Sequence, residues 1–320
     1  MRENNKMVKP PAEPKRISKR LYDFWVKYKW LHLMALPAIV YFLIFKYLPM
    51  GGLVIAFKNY KGVGGIAGIF TAEWVGFAQF ERFFSSIYFT RLMRNTLLIS
   101  VYRLIFSFPC PILLAVLINE ITSTKFKRTV QTISYMPHFL SWVVVAGLLS
   151  TLLSTSGPIN EALAAMGLDK IYFLSDTRYF RSVLVVSEIW KGVGWGSIIY
   201  LAAITGIDPQ IYEAAAIDGA SRWQRILHIT IPSIKETIAI MLILQVGKIL
   251  NENFEQIFNL YNPSVYEVAD VFETYVYRIG LVNQQYSYSA AVGLFKSVIS
   301  LILVVTTNRV AKRMGNEGLW

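Results

Sequence analysis

The sequence predicts an all-α integral membrane protein: a bundle of six transmembrane helices with a helix–turn–helix motif standing on its cytoplasmic face. Three observations carry that expectation. Of the 320 residues, 54% are hydrophobic and only 16% are charged, where a soluble domain has about 25% charged residues. Six apolar runs approach or exceed the ~20 residues that a bilayer core demands of a helix. The lysines and arginines between those runs fall mostly on alternate loops, as the positive-inside rule requires of a multi-pass protein. Length alone would allow two soluble domains, but the apolar runs occupy too much of the chain.

The runs fall at about 31–57, 94–118, 131–155, 181–204, 236–259 and 290–308. The first contains "KYLPMGG" and is expected to leave the bilayer near Leu48 as an interfacial segment. The runs "MPHFLSWVVVAGLLSTLL" and "AAVGLFKSVISLILVVTT" are the clearest, whereas the fourth and fifth carry charges. Six spans place both termini on one side. The loops on that side hold eighteen basic residues, among them Arg16, Lys19, Lys125, Arg128, Arg222, Arg225 and Lys312, against seven on the other. Both termini are therefore expected in the cytoplasm. Residues 1–30 read as a basic tail, disordered at first and then an interfacial helix through Leu21, Phe24, Trp25, Tyr28 and Trp30. Residues 31–311 form the membrane domain and 312–320 a short cytoplasmic tail. No cleavage-like site follows the tail, so the first run reads as a retained anchor. The net charge of +12 could suit nucleic acid, but a bilayer with anionic lipid explains it more simply. Cys110 is the single cysteine, which excludes an internal disulfide.

Between the fourth and fifth runs lies "DPQIYEAAAIDGASRWQRILHITIP", Asp208 to Pro232, charged and helix-prone. Asp208 is a candidate N-cap, with Pro209 at the first helical position. Asp218-Gly219 supplies a turn, and Ser221 with Gln224 forms a capping box for a second short helix. Tyr212, Ala216, Ala220, Trp223 and Leu227 follow helical spacing as an apolar stripe, leaving Arg222 and Arg225 off it. Ala214, Ala215 and Ala216 would let another backbone come close. The alternative is a plain loop helix lying back on the bundle.

The spacing Glu213-Ala214-Ala215, three residues, Gly219, nine residues, Ile229, one residue, Ile231 and Pro232 resembles the coupling signature of ABC importer permeases. That family more often has Leu at the position of Ile231. With Asp218 and Ala220, "EAAAIDGAS" looks like the carbohydrate-importing branch, and "RNTLLIS", "YMPHFLSWVV" and "SEIWKGVGWGSIIYLAAITGIDPQ" are similar to polysaccharide- and oligosaccharide-type permeases. The resemblance implies that Glu213, Ala214, Ala215, Asp218, Gly219, Ala220, Ile229 and Pro232 couple the chain to an ATPase in a bacterial cytoplasmic membrane. It also implies a second, different permease subunit, an ATPase dimer carrying ATP and Mg2+, an extracellular solute-binding protein and an oligosaccharide substrate. No cofactor is expected on this chain, which lacks a Gly-Lys-Ser/Thr phosphate loop. His32, His138 and His228 have no metal-site spacing. The chain is not expected to be an enzyme.

Charges inside spans are costly and face a cavity or a partner. Glu188, Lys191 and Trp195 fall on one helical face of the fourth run beside Trp190, and Gly192, Gly194 and Gly196 thin that helix. The fifth run becomes "GKILNENFEQIF" in its outer half, with Lys248, Asn251, Asn253 and Glu255. These residues read either as a polar translocation path or as internal ion pairs, Glu188–Lys191 and Lys248–Glu252. Lys191 and Lys248 would suit an acidic sugar. In related carbohydrate permeases the fifth span contributes to the path. Arg103, Lys46 and Lys296 are isolated and read as snorkelling residues, while Tyr286 and Tyr288 read as interface aromatics. Functions that compete with sugar import are import of a peptide or lipid-linked solute, and a docking scaffold that moves no solute.

Overall fold

A computed structural model describes residues 25–247 and 254–313. Among the described residues the regular structure is helical, apart from one isolated bridge between Lys58 and Trp74. The expected tail lies mostly outside these residues, as do Lys248, Asn251 and Asn253. The chain divides into two units at Val54–Ile55.

The first apolar run is one helical stretch, Lys29–Phe57. It begins as α1, Lys29–Phe42, passes through a π turn at Leu43–Tyr47 and tightens to a 3₁₀ helix over Gly51–Phe57. The break expected at "KYLPMGG" is thus a change of pitch. Pro49 sits inside this stretch, just past the π turn, where the hydrogen-bond register has already shifted.

Two short helices follow, α2 (Gly65–Thr71) and α3 (Ala78–Phe84). The second run is α4 (Ile87–Tyr102) and α5 (Pro109–Glu120), continuous through a π turn at Arg103–Ser107. The third is not one straight span. The helix α6 (Thr124–Tyr135) ends in a 3₁₀ turn, and α7 (Trp142–Leu152) leaves at 102° to it. Pro137 interrupts the first helix, and Ser141 starts the second by accepting the Val144 N–H at 3.3 Å. After α8 (Pro158–Ala165), the fourth run is α9, Thr177–Thr205, 29 residues without a break. At 1.5 Å per residue α9 is long enough to cross a bilayer.

The segment at 208–232 holds α10 (Pro209–Ile217) and α11 (Arg222–Arg225), and beyond it come α12 (Lys235–Gly247), α13 (Phe254–Leu260), α14 (Phe272–Tyr277) and α15 (Tyr286–Arg313). By length and composition three described helices can cross a membrane, and up to five if each bent pair is one span. The remaining expected span is α9, which carries Glu188 and Lys191.

Helix α9 is the centre of the bundle. Its buried Leu184 and Phe180 join Ile99, Ile257, Leu260 and Val271 in one cluster, and its Tyr200, Leu201 and Ile204 join Ile112, Ala115 and Ile118 of α5 in another. Two glycines set how close the neighbours come. A Cβ on Gly194 would stand 1.9 Å from the Ser134 carbonyl oxygen, and one on Gly196 would stand 3.0 Å from Pro111. A third cluster, Phe83, Leu92, Phe272, Tyr275, Tyr288 and Val292, ties α3 and α4 to α14 and α15. Tyr288 is therefore a core residue rather than an interface aromatic. Its hydroxyl meets that of Tyr275 at 3.2 Å, and the Arg82 guanidinium lies 4.5 Å over its ring.

Candidate functional site

The segment at 208–232 is built from local chemistry. Asp208 accepts the Gln210 N–H at 2.9 Å and so satisfies a free donor at the start of α10, with Pro209 behind it. Helix α10 ends in a Schellman motif: Ala220 N–H donates to Ala215 O at 2.9 Å and Gly219 N–H to Ala216 O at 3.1 Å. Gly219 holds φ at +79° there, a conformation that costs any residue with a Cβ. Ser221 and Gln224 close both bonds of the capping box at 3.3 and 2.7 Å.

The segment is rooted and presented at once. Buried Ile226 and Ile234 belong to the cluster made by α5 and the end of α9. The Tyr212 hydroxyl lies 2.9 Å from that of buried Thr230. Glu213, Ala214, Asp218, Gly219 and Pro232 are exposed, and Ala215, Ala220 and Ile229 are half-buried. Ile217, at 87% exposure, is the tip. The expected stripe is only partly kept. Tyr212 and Ala220 face inward, whereas Ala216, Trp223 and Leu227 are exposed. Leu227 lies in the π turn at Ile226–Thr230, where an inserted residue breaks the 3.6-residue spacing, while Ala216 and Trp223 lie ahead of that turn, on the two helices that Gly219 separates.

The charged cluster of α9 separates into three environments. Glu188 does not pair with Lys191. Its carboxylate meets Arg103 Nε at 2.5 Å, with the Arg103 side chain only 2% exposed. Arg103 also donates to Gln256 Oε1 at 2.7 Å, and Gln256 Nε2 donates to Leu184 O at 2.7 Å and Ser187 Oγ at 2.8 Å. The guanidinium thus ties α4 to α9 and α13 at the π turn, and Arg103 is an internal charge rather than a snorkelling one. Below it lies a cavity of about 180 Å³ lined by Ser107, Pro111, Glu188, Gly192, Gly196 and Gln245, among others.

Lys191 and Trp195 form the second environment, around His138. Lys191 Nζ donates to His138 O at 2.8 Å and lies 5.4 Å from the Trp142 ring centre. The Trp195 indole stacks on the His138 ring at 4.5 Å with 1° between planes, and Phe139 meets its edge. Trp190 occupies the third, lining an apolar recess of about 560 Å³ with Leu149, Leu152, Ile159 and Phe173. Glu255 is exposed at the start of α13. Sequence spacing alone missed Gln256, Ser187 and His138. For Gln256 and Ser187 the available signal was Arg103 itself, a cation within an apolar run.

Two further polar joints hold the ends of the bundle. Buried Asn95 donates to the Glu267 and Asp270 carbonyls at 2.9 and 3.0 Å and accepts from Arg181 at 2.8 Å. Asp270 also binds Arg278 and accepts from Thr274 Oγ1 at 2.7 Å. Lys296, expected to snorkel, pairs with Glu273.

Comparison with known proteins places this architecture. The polygalacturonan/rhamnogalacturonan transport system permease protein YteP of Bacillus subtilis (strain 168) is 48% identical over 303 residues, covering 94% of each chain. Protein LplB of the same organism is 46% identical over 293 residues, 91% of each. The structure of a bacterial ABC transporter involved in import of the acidic polysaccharide alginate superposes with a TM-score of 0.85 at 45% identity, covering 92% of this chain and 99% of that one. A second alginate transporter structure, in complex with a periplasmic protein carrying alginate pentasaccharide, gives 0.87 at 44% identity, covering 94% and 100%. Residues 107–316 match the family described as binding-protein-dependent transport system inner membrane component, and the chain belongs to that family.

Proposed function

We propose that this chain is the membrane-spanning permease subunit of an ABC importer that carries an acidic sugar oligomer across the bacterial cytoplasmic membrane. The observation that supports this most is the 208–232 knob: an exposed Glu213-Ala214 face and Gly219 turn, with Ala215 half-buried beside them, whose base is embedded in the ends of α5 and α9. A push on such a knob reaches α9 through packed Ile226 and Ile234 rather than through a loose loop. Helix α9 carries Glu188, Lys191 and Trp195, so movement at the knob re-aims the polar groups of the bundle. In this reading a separate ATPase dimer binds ATP and Mg2+ and grips the knob. A second permease subunit completes the passage, and an extracellular binding protein delivers the sugar. Both termini are cytoplasmic.

Glu188, Trp190, Lys191, Trp195, Lys248, Asn251, Asn253 and Glu255 are the proposed path residues. Lys191 is placed to attract a carboxylate, and the flat Trp195–His138 stack offers an apolar face to a sugar ring. Relatives that carry polygalacturonan, rhamnogalacturonan and alginate favour an acidic substrate.

The test is ATP-driven uptake in proteoliposomes holding the chain with its neighbouring permease, ATPase and binding protein. Labelled acidic and neutral oligosaccharides and peptides are compared. Saturable uptake of the acidic sugar, abolished by Glu213→Arg, is expected. Uptake of the neutral sugar or the peptide instead would overturn the substrate. ATPase binding without any uptake would leave a docking scaffold.

A further inference from the structure

The stretch that follows the first span, residues 58–77, is tightly built yet turns its apolar side chains outward. Lys58 pairs with Trp74 across an antiparallel bridge, Asn59 N–H donates to Glu73 O at 2.8 Å, and Val75 N–H to Phe57 O at 2.9 Å. Lys58 Nζ donates to the Ile69 and Phe70 carbonyls at 2.9 and 2.8 Å, satisfying the C-terminus of α2. A Cβ on Gly68 would stand 2.0 Å from Val63 O, so the turn into α2 is closed on itself. The sequence of α2, GIAGIFT, holds no charge. Ile66 and Phe70, one turn apart on it, are 77% and 74% exposed, and Val63, Trp74 and Phe77 are exposed beside them.

A rigid element that presents five large apolar side chains is made for an apolar or amphipathic neighbour. Its position says which. Phe57 is the last residue of the apolar helix Lys29–Phe57. Trp74 stacks on Phe57 with ring centres 5.8 Å apart and 11° between planes, and Phe77 lies 5.5 Å away. The aromatic side chains are therefore held at the end of that helix, and Trp and other amphipathic rings collect at the depth where a span leaves the hydrocarbon. An uncharged helix at that depth rests its apolar face on the headgroup–acyl boundary. We propose that Val63, Ile66, Phe70, Trp74 and Phe77 form an interfacial anchor seated on the bilayer surface opposite the termini. This rests on the topology given above, in which that surface is the outer one.

The experiment uses the complete transporter in nanodiscs, with Cys110→Ala and a cysteine-depleted set of partners. An environment-sensitive fluorophore is attached at Phe70→Cys. Blue-shifted emission, quenched by lipid spin-labelled near the headgroup and little affected by aqueous iodide, is expected with or without the binding protein. Quenching by iodide and not by lipid would overturn the anchor. So would shielding from iodide that requires the binding protein, since that protein would then be the occupant. The side is read separately with an impermeant maleimide on intact cells at Lys61→Cys. Reaction there is expected. No reaction, with Phe70→Cys still quenched by lipid, would overturn the topology and leave an anchor on the inner surface.

Discussion

The 208–232 knob and the Arg103 joint both hold helices in place, but they are written in the sequence differently. In the knob each feature is completed within about six residues: Asp208 with Gln210, Ala215 with Ala220, Ser221 with Gln224. In the joint, Arg103 reaches Gln256 across 153 residues of sequence. The capping groups of the knob, Ser221 and Gln224, are exposed and tolerate water. The joint is buried among helices, where a polar group that loses its partner pays the desolvation cost in full. Local chemistry thus shapes the surface that another protein would grip, and long-range chemistry fixes the body that must move as a unit.

This contrast predicts that side-chain changes at the joint damage fold and transport together, while changes at the knob damage transport alone. The largest effect is expected from Arg103→Leu, which removes the donor from Glu188 and Gln256. Breaking a buried pair in this way costs about 3–5 kcal/mol. The thermal unfolding midpoint should fall sharply in detergent and the monodisperse yield should drop. Arg103→Lys should recover only part, because an ammonium cannot reproduce the guanidinium fork that serves two acceptors. A wild-type midpoint for Arg103→Leu would refute the joint.

Gly194→Ala should follow, at about 1–3 kcal/mol for overpacking, since its Cβ would collide with the Ser134 backbone. Gly192→Ala is the matched control. Nothing lies within 4 Å of its added Cβ, so its midpoint should not fall. Equal losses in the two variants would mean that helix α9 senses glycine content rather than close packing.

The same contrast accounts for what the sequence disclosed. Apolar run length placed the first, fourth and last spans within a few residues, because each demands a continuous apolar surface, while the second begins at Ile87, well ahead of the run expected from residue 94. It read residues 131–155 as one span, since hydropathy does not register a 102° turn, although Pro137 and Ser141 carried the local signal for one. The spacing of Glu188, Lys191 and Trp195 showed a shared face but not their partners. Arg103 and His138 come from other helices, so no i,i+3 or i,i+4 pattern could name them. The caps and turn of the knob were legible because the atoms that satisfy them are sequence neighbours. The π turn at Ile226–Thr230 was not, and Leu227 within it is exposed.

At the knob, Gly219→Ala should cost about 1–2 kcal/mol locally, the penalty of a left-handed residue with a Cβ. No side-chain collision adds to it, because nothing lies within 4 Å. Uptake and ATPase stimulation should fall while the midpoint of the bundle stays at the wild-type value. Gly219→Asn should lose less, because asparagine enters that region more readily. A lowered midpoint in Gly219→Ala would mean that the knob is part of the cooperative core.

The smallest effect, and the sharpest reading of how locally the knob is built, comes from the capping box. Ser221→Ala removes the acceptor of Gln224 N–H, and Gln224→Ala removes the acceptor of Ser221 N–H. Each should cost about 1 kcal/mol. Neither should change the midpoint, because an exposed four-residue helix frays without opening the bundle. Amide exchange at residues 221–225 should accelerate in both, with a modest loss of uptake. The two bonds close one ring of atoms, so the double variant should lose less than the two single losses added. Strict additivity would mean that the caps act independently and that Ile226 and Thr230, buried behind them, set the orientation of the second helix instead.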